Sequence, residues 1–191
     1  MKKDEYIYTV FQEDDDNAER FKIMYYVIFI ITLFSIFFSP VAVKGYSMED
    51  TLRNRQPLIV YNFVFSYHYN DILVVYAGNN IPGEKYIIKR VCALPGDKIE
   101  IKNGKFYRND IRISEPYIKE PMSKNQVVPP YIMKNNEIFL MGDNRNQSGD
   151  SRDFGPFKTD DVKGRVIFIS SDKEESWENV WLQYKRVLKY F

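Results

Sequence analysis

The sequence predicts a mainly β protein: a single N-terminal transmembrane helix, then an antiparallel barrel-like β domain with a small inserted β-hairpin subdomain and a C-terminal amphipathic helix. Three observations predict it: an uncharged apolar segment near the N-terminus, short β-branched and aromatic runs between turn residues, and a final segment with helical periodicity. The 191 residues, 45% of them hydrophobic, are enough for one domain with an appended segment.

The transmembrane anchor is predicted at residues 21–43, because no charge occurs at positions 23–43. At about 1.5 Å per residue, a helix of this length spans about 30 Å, which is the thickness of a bilayer core. A cleaved signal peptide is the alternative, but the apolar run is too long for one and no small-x-small site follows in register. Arg20 and Lys22 precede the span and a single lysine follows it, so the positive-inside rule predicts a cytoplasmic N-terminus.

Residues 1–20 hold seven acidic and three basic side chains and few apolar ones. This composition predicts a solvated, poorly ordered cytoplasmic tail, with an acidic interaction patch as the alternative. The protein is therefore expected in the cell membrane as a single-pass protein. Lipid is an expected partner, and residues 44–191 are expected outside the cytoplasm.

Strand-length runs rich in β-branched and aromatic residues recur beyond the anchor, at residues 58–61, 71–76, 86–91, 98–102, 137–141 and 165–169. Asn103 and Gly104 follow the fourth run and predict a type I′ hairpin. Prolines at positions 116, 121, 129 and 130 predict that no regular ladder forms between residues 113 and 134, which would be an irregular excursion covering the hairpin. The inserted subdomain is therefore placed at about residues 98–137.

Residues 175–191 are predicted to form an amphipathic helix. Its apolar residues recur at steps of three or four: Trp177, Val180, Trp181, Tyr184, Val187, Leu188 and Phe191. Two tryptophans and a basic polar face suit a membrane interface, whereas docking on the core of the domain would use the same apolar face. The sequence leaves both interpretations open.

Composition also excludes several classes of function. A net charge of +1 gives no basic excess for a phosphate backbone, so nucleic acid is not an expected partner. The single cysteine, Cys92, excludes an internal disulfide framework and a multi-cysteine zinc site, and no metal or cofactor is expected. A Ser-His-Asp triad would have to use the one histidine, His68, for which a surface or loop position is favoured.

Ser47 is the first candidate nucleophile beyond the apolar segment. A hydroxyl needs a base to take its proton, and without a plausible histidine the remaining choice is a lysine with a lowered pKa. Lys89 lies inside an apolar strand sequence, where burial would favour the neutral amine. The alternative is a strand-edge lysine with its ammonium group in water.

Three motifs in the β domain share their order and spacing with one enzyme family. They are Ser47-Met48 with Thr51-Leu52, Lys89-Arg90-Val91 with Leu94-Pro95-Gly96-Asp97, and Gly142-Asp143-Asn144-Arg145 with Ser148, Asp150-Ser151-Arg152 and Phe154-Gly155. With the preceding anchor, the chain resembles the type I signal peptidases of bacteria over nearly its whole length from the anchor to about Ile169. The short inserted region and single span resemble the Gram-positive form.

This resemblance implies a serine endopeptidase of the Ser-Lys type that removes signal peptides from secreted preproteins at the outer face of the cytoplasmic membrane. Ser47 would attack the scissile carbonyl, and Lys89 would act first as general base and then as general acid. The family binds its substrate as an added strand, so the segments just before these two residues are the expected edges. Shallow apolar pockets would accept small residues of the Ala-x-Ala type.

The resemblance also implies roles around the dyad. The backbone N–H of Ser47 would serve the oxyanion hole, and Gly45 can offer only backbone where some relatives have a hydroxyl residue. Met48, next to the nucleophile, is the expected substrate contact, and Ser148 would orient the lysine. Four residues would brace the site through ion pairs and hydrogen bonds: Asp143, Arg145, Asp150 and Arg152.

One position departs from the family, which usually has proline where this chain has Asp50. If Asp50 lay within several ångströms of Lys89, its charge would favour the ammonium form, and activity would shift to higher pH or the substrate range would narrow. The alternative function is a non-catalytic or specialised signal-peptidase-like assembly factor for surface (pilus) proteins. The presence of Ser47 and Lys89 argues against the non-catalytic form. A self-cleaving regulator of the Ser-Lys type would carry DNA-binding helices where this chain has its anchor.

Overall fold

The computed structural model describes residues 2–78, 81 and 83–169, in two compact units that meet in sequence at Phe38. The amphipathic helix predicted at residues 175–191 lies outside the described residues, so its two interpretations both remain predictions.

The first unit is one helix, α1 (Lys2–Phe37). It begins inside the leader that composition predicts to be poorly ordered, and no glycine or proline before Pro40 interrupts it. Its portion Asn17–Phe37 is long and apolar enough to cross a membrane, and the large apolar side chains there are exposed, as they are on lipid-facing helices.

The predicted anchor ran to residue 43, but the helix ends at Phe37 and the next residues form a strand, β1 (Phe38–Ala42). Pro40 explains this difference. It lacks the amide hydrogen that a helix needs, and its ring disfavours helical geometry at the preceding Ser39.

The second unit contains two sheets. The larger sheet has seven strands in the spatial order β1, β2 (Pro57–Tyr61), β11 (Val162–Ile169), β3 (Ile72–Tyr76), β4 (Tyr86–Ala93), β9 (Glu137–Met141) and β10 (Phe157–Lys158). From β2 to β10 every neighbouring pair is antiparallel. This curled antiparallel sheet confirms the predicted mainly β, barrel-like class.

The smaller sheet lies within the predicted insertion and has the order β7 (Ile111–Arg112), β6 (Lys105–Arg108), β5 (Lys98–Lys102) and β8 (Val128–Ile132). The predicted hairpin joins β5 to β6, and Asn103 and Gly104 both have the positive φ that a type I′ turn requires. The prediction that prolines prevent any ladder is wrong for β8, which pairs with β5 despite two of them. β8 is an edge strand, and its register with β5 shifts between Ile99 and Ile101, opposite the two prolines. Sheet edges and bulges are the places where a strand tolerates proline.

Apolar packing holds the loop that follows β1. Met48 and Leu52 are buried in one cluster with Val43, Leu58 and Ile72. Backbone hydrogen bonds from Val43 and Arg55 close the base of this loop. The loop that carries Ser47 is therefore fixed against the large sheet.

Candidate active site

Ser47 and Lys89 meet, although they lie on different elements. Ser47 is in the loop after β1 and Lys89 is in β4, and the distance between Lys89 Nζ and Ser47 Oγ is 2.5 Å. Lys89 is only 3% exposed, so the strand-edge alternative with a solvated ammonium group does not apply. The two predicted catalytic residues thus form a hydrogen-bonded pair.

Burial lowers the pKa of Lys89 to about 8, because water no longer stabilises the ammonium form. Nearby charges modulate this effect: Asp150, Glu84 and Asp143 raise the pKa and Arg152 lowers it. A substantial fraction of Lys89 is therefore neutral near pH 8 and can accept a proton from the hydroxyl.

Arg90, next in β4, keeps its charge. Its Nε donates to Asp143 Oδ1 at 2.8 Å and its Nη2 to Oδ2 at 2.6 Å, and both side chains are buried. Thr51 Oγ1 donates to the same carboxylate at 2.5 Å. Burial opposes the guanidinium charge, but the hydrogen bonds and charge of Asp143 outweigh it and raise the pKa of Arg90.

Asp150 and Arg152 form a second buried pair, with Arg152 Nη2 2.7 Å from Asp150 Oδ2. Asp150 also accepts from the backbone N–H of Gly142 at 2.9 Å and caps α2 (Ser151–Phe154). Burial alone would raise the pKa of the Asp150 carboxyl, but Arg152, Gly142 and Ser148 together lower it. Asp150 is thus a carboxylate whose field acts on Lys89.

Ser148 Oγ donates to Asp150 Oδ2 at 2.8 Å. The contact that the structure records for this hydroxyl therefore goes to the carboxylate rather than to the lysine. Its role in orienting Lys89 stays a prediction.

Arg145 is fully buried. Its Nε donates to the carbonyl oxygen of Gly142 at 2.9 Å, and its Nη1 lies 2.7 Å from Glu115 Oε1. The side chains of the four residues predicted to support the site, Asp143, Arg145, Asp150 and Arg152, are therefore all buried and each forms an ion pair.

Gly45 adopts a φ of +93°, and a Cβ there would meet open space. Its backbone N–H donates to Asn54 Oδ1 at 3.0 Å, so that donor is already engaged. The carbonyl of Ser47 accepts from the backbone N–H of Asn144 at 3.0 Å, which fixes the peptide after the nucleophile.

Met48 was predicted to contact substrate, but its side chain is 2% exposed and packs in the core beneath the loop. Side chains at adjacent positions of this turn point in different directions. Tyr46, on the other side of Ser47, is 57% exposed and lines the groove instead.

A groove of about 620 Å³ leads to the dyad. One wall comes from residues 41–47 and the other from residues 83–89, which are the two segments predicted as substrate edges. β9 pairs with β4 only from Arg90 onward, so the edge of residues 86–89 away from β3 faces the groove. Within residues 2–78, 81 and 83–169, no cluster of histidine, cysteine and acidic side chains is placed to hold a metal ion.

Sequence reasoning assigned no role to three residues that the structure brings to the site. Arg90 and Thr51 lie inside the quoted motifs, so their positions were visible even though their contacts were not. Glu115 lies in the proline-rich excursion, where no pattern indicated a partner for Arg145.

Comparisons with known proteins identify the family of this chain. The family model for signal peptidase, peptidase S26, matches residues 18–171. Signal peptidase I U of Bacillus subtilis (strain 168) is 32% identical over 153 residues, which cover 73% of this chain and 79% of the relative. The probable signal peptidase I-1 of Synechocystis sp. is 32% identical over 152 residues, covering 74% and 76%.

The crystal structure of a signal peptidase I from Enterococcus faecalis is 26% identical and superposes with a TM-score of 0.45, covering 56% of this chain and 100% of that one. The match of the family model to most of the chain, and the identity with relatives over most of their length, decide the classification. The chain belongs to the signal peptidase family, peptidase S26.

Proposed function

We propose that this protein is a membrane-anchored serine endopeptidase that removes signal peptides from secreted preproteins, with Ser47 as nucleophile and Lys89 as general base. The observation that carries the proposal is the 2.5 Å contact between Lys89 Nζ and Ser47 Oγ, made by a lysine that is 3% exposed. Family membership supplies the reaction class.

In the first half of the reaction, neutral Lys89 accepts the hydroxyl proton as Ser47 Oγ attacks the scissile carbonyl. The resulting ammonium group then donates this proton to the leaving amine as the C–N bond breaks. In the second half, Lys89 takes a proton from water, the hydroxide attacks the ester, and the proton returns to Ser47 Oγ as the acid product leaves.

The backbone N–H of Ser47 is the proposed donor to the oxyanion. Gly45 contributes shape rather than a donor, because its N–H is bonded to Asn54. Ser148 holds the Asp150 carboxylate, whose charge acts on Lys89. The remaining proposed braces, Asp143, Arg145 and Arg152, keep the strand end and the loop at residues 142–152 in place.

The substrate is proposed to enter the groove as an extended segment along residues 86–89 and 41–45. Open backbone groups along a strand edge bind an extended peptide through main-chain hydrogen bonds. Small residues of the Ala-x-Ala type would place the scissile carbonyl next to Ser47 without collision with the groove walls.

The proposed topology has a cytoplasmic N-terminus and an extracytoplasmic β domain, with α1 in the membrane. Its support is the basic residues before the apolar stretch of α1 and the length of that stretch. An assembly factor without catalysis would have no need for a buried lysine in contact with a serine hydroxyl.

The test is cleavage of a full-length preprotein by the purified full chain in detergent, with Ser47→Ala and Lys89→Ala as the variants. Ser66→Ala and Lys163→Ala are the matched controls, because neither residue lines the groove. We expect no processed product from the first two and normal processing by the controls. Processing at the wild-type rate by either dyad variant would show that the dyad assignment is wrong.

A further inference from the structure

Residues 115–119 belong to the inserted subdomain, yet their side chains contact the motif segments around the dyad. Glu115 contacts Arg145, Tyr117 contacts Arg90, and Lys119 contacts Glu49. These partners flank Lys89, Ser47 and the loop at residues 142–152. The subdomain is thus joined to three segments around the dyad: the loop after Ser47, β4 and the loop at residues 142–152.

The Glu115 contact is buried. Its Oε1 lies 2.7 Å from Arg145 Nη1, with the two side chains 7% and 0% exposed. Arg145 in turn holds the carbonyl oxygen of Gly142. Gly142 packs so closely that a Cβ there would collide with Ser47 O and Ser148 Oγ, so displacement of Arg145 would be felt at the nucleophile.

Tyr117 supports the lysine side of the site. Its ring lies 4.1 Å from the Arg90 guanidinium and 5.9 Å from that of Arg145, so one aromatic side chain is close to both buried cations. Its hydroxyl lies 3.4 Å from Glu115. Because Arg90 follows Lys89 in β4, the position of this ring affects the backbone that carries the base.

Lys119 completes the set. Its backbone N–H donates to the carbonyl oxygen of Asp143 at 3.1 Å, and its Nζ lies 2.8 Å from Glu49, two residues after the nucleophile. This ion pair is partly exposed, so it contributes less than the buried one.

We propose that residues 115–119 position the catalytic dyad, with Glu115 as the principal positioning residue and Tyr117 and Lys119 as secondary ones. The inserted subdomain is therefore part of the active-site scaffold rather than a cover for a hairpin. This inference rests on the Ser-Lys function proposed above.

The experiment separates positioning from folding by counting working sites. The full chain in detergent is titrated with a fluorophosphonate, which labels an activated serine, and kcat per titrated site and KM are then measured with a peptide that carries an Ala-x-Ala cleavage region. Glu115→Gln is the main variant, and Tyr117→Leu is the second. Glu100→Gln is the matched control, since Glu100 pairs with Lys102 in the same subdomain, away from the groove.

We expect Glu115→Gln to lower kcat per titrated site about tenfold with KM within about twofold, because a misplaced dyad affects the transition state more than ground-state binding. Tyr117→Leu should lower kcat per site about threefold, and Glu100→Gln should not change it. A purely structural role would reduce only the number of titratable sites. Unchanged kcat per site in Glu115→Gln would overturn the proposal.

Breaking a buried ion pair can prevent folding. If Glu115→Gln gives no titratable protein, Tyr117→Leu decides the matter, and unchanged kcat per site in that variant overturns the proposal. A wild-type chain that neither cleaves the peptide nor reacts with the fluorophosphonate would instead contradict the proposed function. The experiment therefore distinguishes failure of the positioning role of residues 115–119 from failure of the proposed peptidase function.

Discussion

Lys89 and Arg90 are neighbours in β4, and because side chains alternate along a strand they lie on opposite faces of the sheet. Both are buried, but Arg90 makes two hydrogen bonds to the carboxylate of Asp143, whereas Lys89 contacts a neutral hydroxyl. The pKa of Arg90 is raised and that of Lys89 is lowered to about 8. Burial alone does not decide the charge of a cation, since the outcome depends on whether a carboxylate is in direct contact.

This contrast separates a structural cation, Arg90, from the proposed catalytic one, Lys89. On the Arg90 face of the sheet the positive charge is retained, and its ion pair with Asp143 joins β4 to the loop that follows β9. On the Lys89 face the missing direct partner makes the charged form costly, which leaves an amine able to act as a base.

The largest expected effect comes from exchanging the two types of cation. Lys89→Arg retains a positive charge but cannot lose its proton near neutral pH, so kcat/KM for peptide cleavage should fall about 10³-fold or more. Arg90→Lys keeps the charge but loses the two-point contact with Asp143, so activity should fall by about tenfold, far less than in Lys89→Arg. A Lys89→Arg enzyme with a tenth of wild-type activity would show that no proton transfer occurs at this position.

Removal of the Arg90 charge should lower the stability of the fold, whereas removal of the Lys89 charge should not. Arg90→Met leaves Asp143 buried without its cation and should lower the free energy of unfolding by about 3–5 kcal/mol. Lys89→Met removes a charge that the fold disfavours, so stability at pH 7 should be unchanged or higher, by at most about 3 kcal/mol. Denaturant unfolding of the full chain in detergent measures both changes.

The pH dependence of the Lys89 comparison follows from linkage. Below about pH 8 the folded and unfolded chains both bind this proton, and the folded state has the full cost of the buried charge. Between about 8 and the ordinary lysine value of 10.5, only the unfolded chain binds it, so the cost decreases as pH rises. A stability difference between Lys89→Met and wild type that grows with pH would contradict this sign.

Activity should also depend on pH through Lys89. Because the neutral amine is the active form, kcat/KM should rise as the pH passes through about 8. Glu84 raises the pKa of Lys89, so Glu84→Gln should move this rise to lower pH, whereas Glu100→Gln should leave it in place. A profile that is flat from pH 6 to 9 would argue against a titrating base.

The smallest expected effect concerns Asp50. The largest effects of charge on the pKa of Lys89 come from Asp150, Arg152, Glu84 and Asp143, while Asp50 is exposed and raises the pKa of Lys119. We therefore expect Asp50→Pro to leave the pH profile of kcat/KM unchanged. A shift of that profile to lower pH would restore the direct influence on Lys89 that the sequence suggested.

The motifs predicted the dyad because they identify residue types in order, and Ser47 and Lys89 do meet. Met48 was misplaced because a residue adjacent to the nucleophile in sequence need not share its exposure, and only packing against Leu52 and Leu58 shows that it is buried. The predicted anchor runs past the helix end at Phe37 because the absence of charge at positions 38–43 does not distinguish a helix from a strand, although Pro40 marks the boundary.

Local periodicity, turn chemistry and motif order are enough to predict the apolar span, the mainly β class, the hairpin at Asn103–Gly104 and the proposed Ser47–Lys89 pair. The pairing of buried cations with carboxylates, by contrast, is visible only in the folded molecule. Arg90 and its partner Asp143 are 53 residues apart in sequence. Glu115, the partner of Arg145, comes from a segment without a recognisable pattern. Such contacts form only when distant parts of the chain fold together, and because the effect of a charge depends on distance and burial, the charge state of Lys89 is a property of the folded chain.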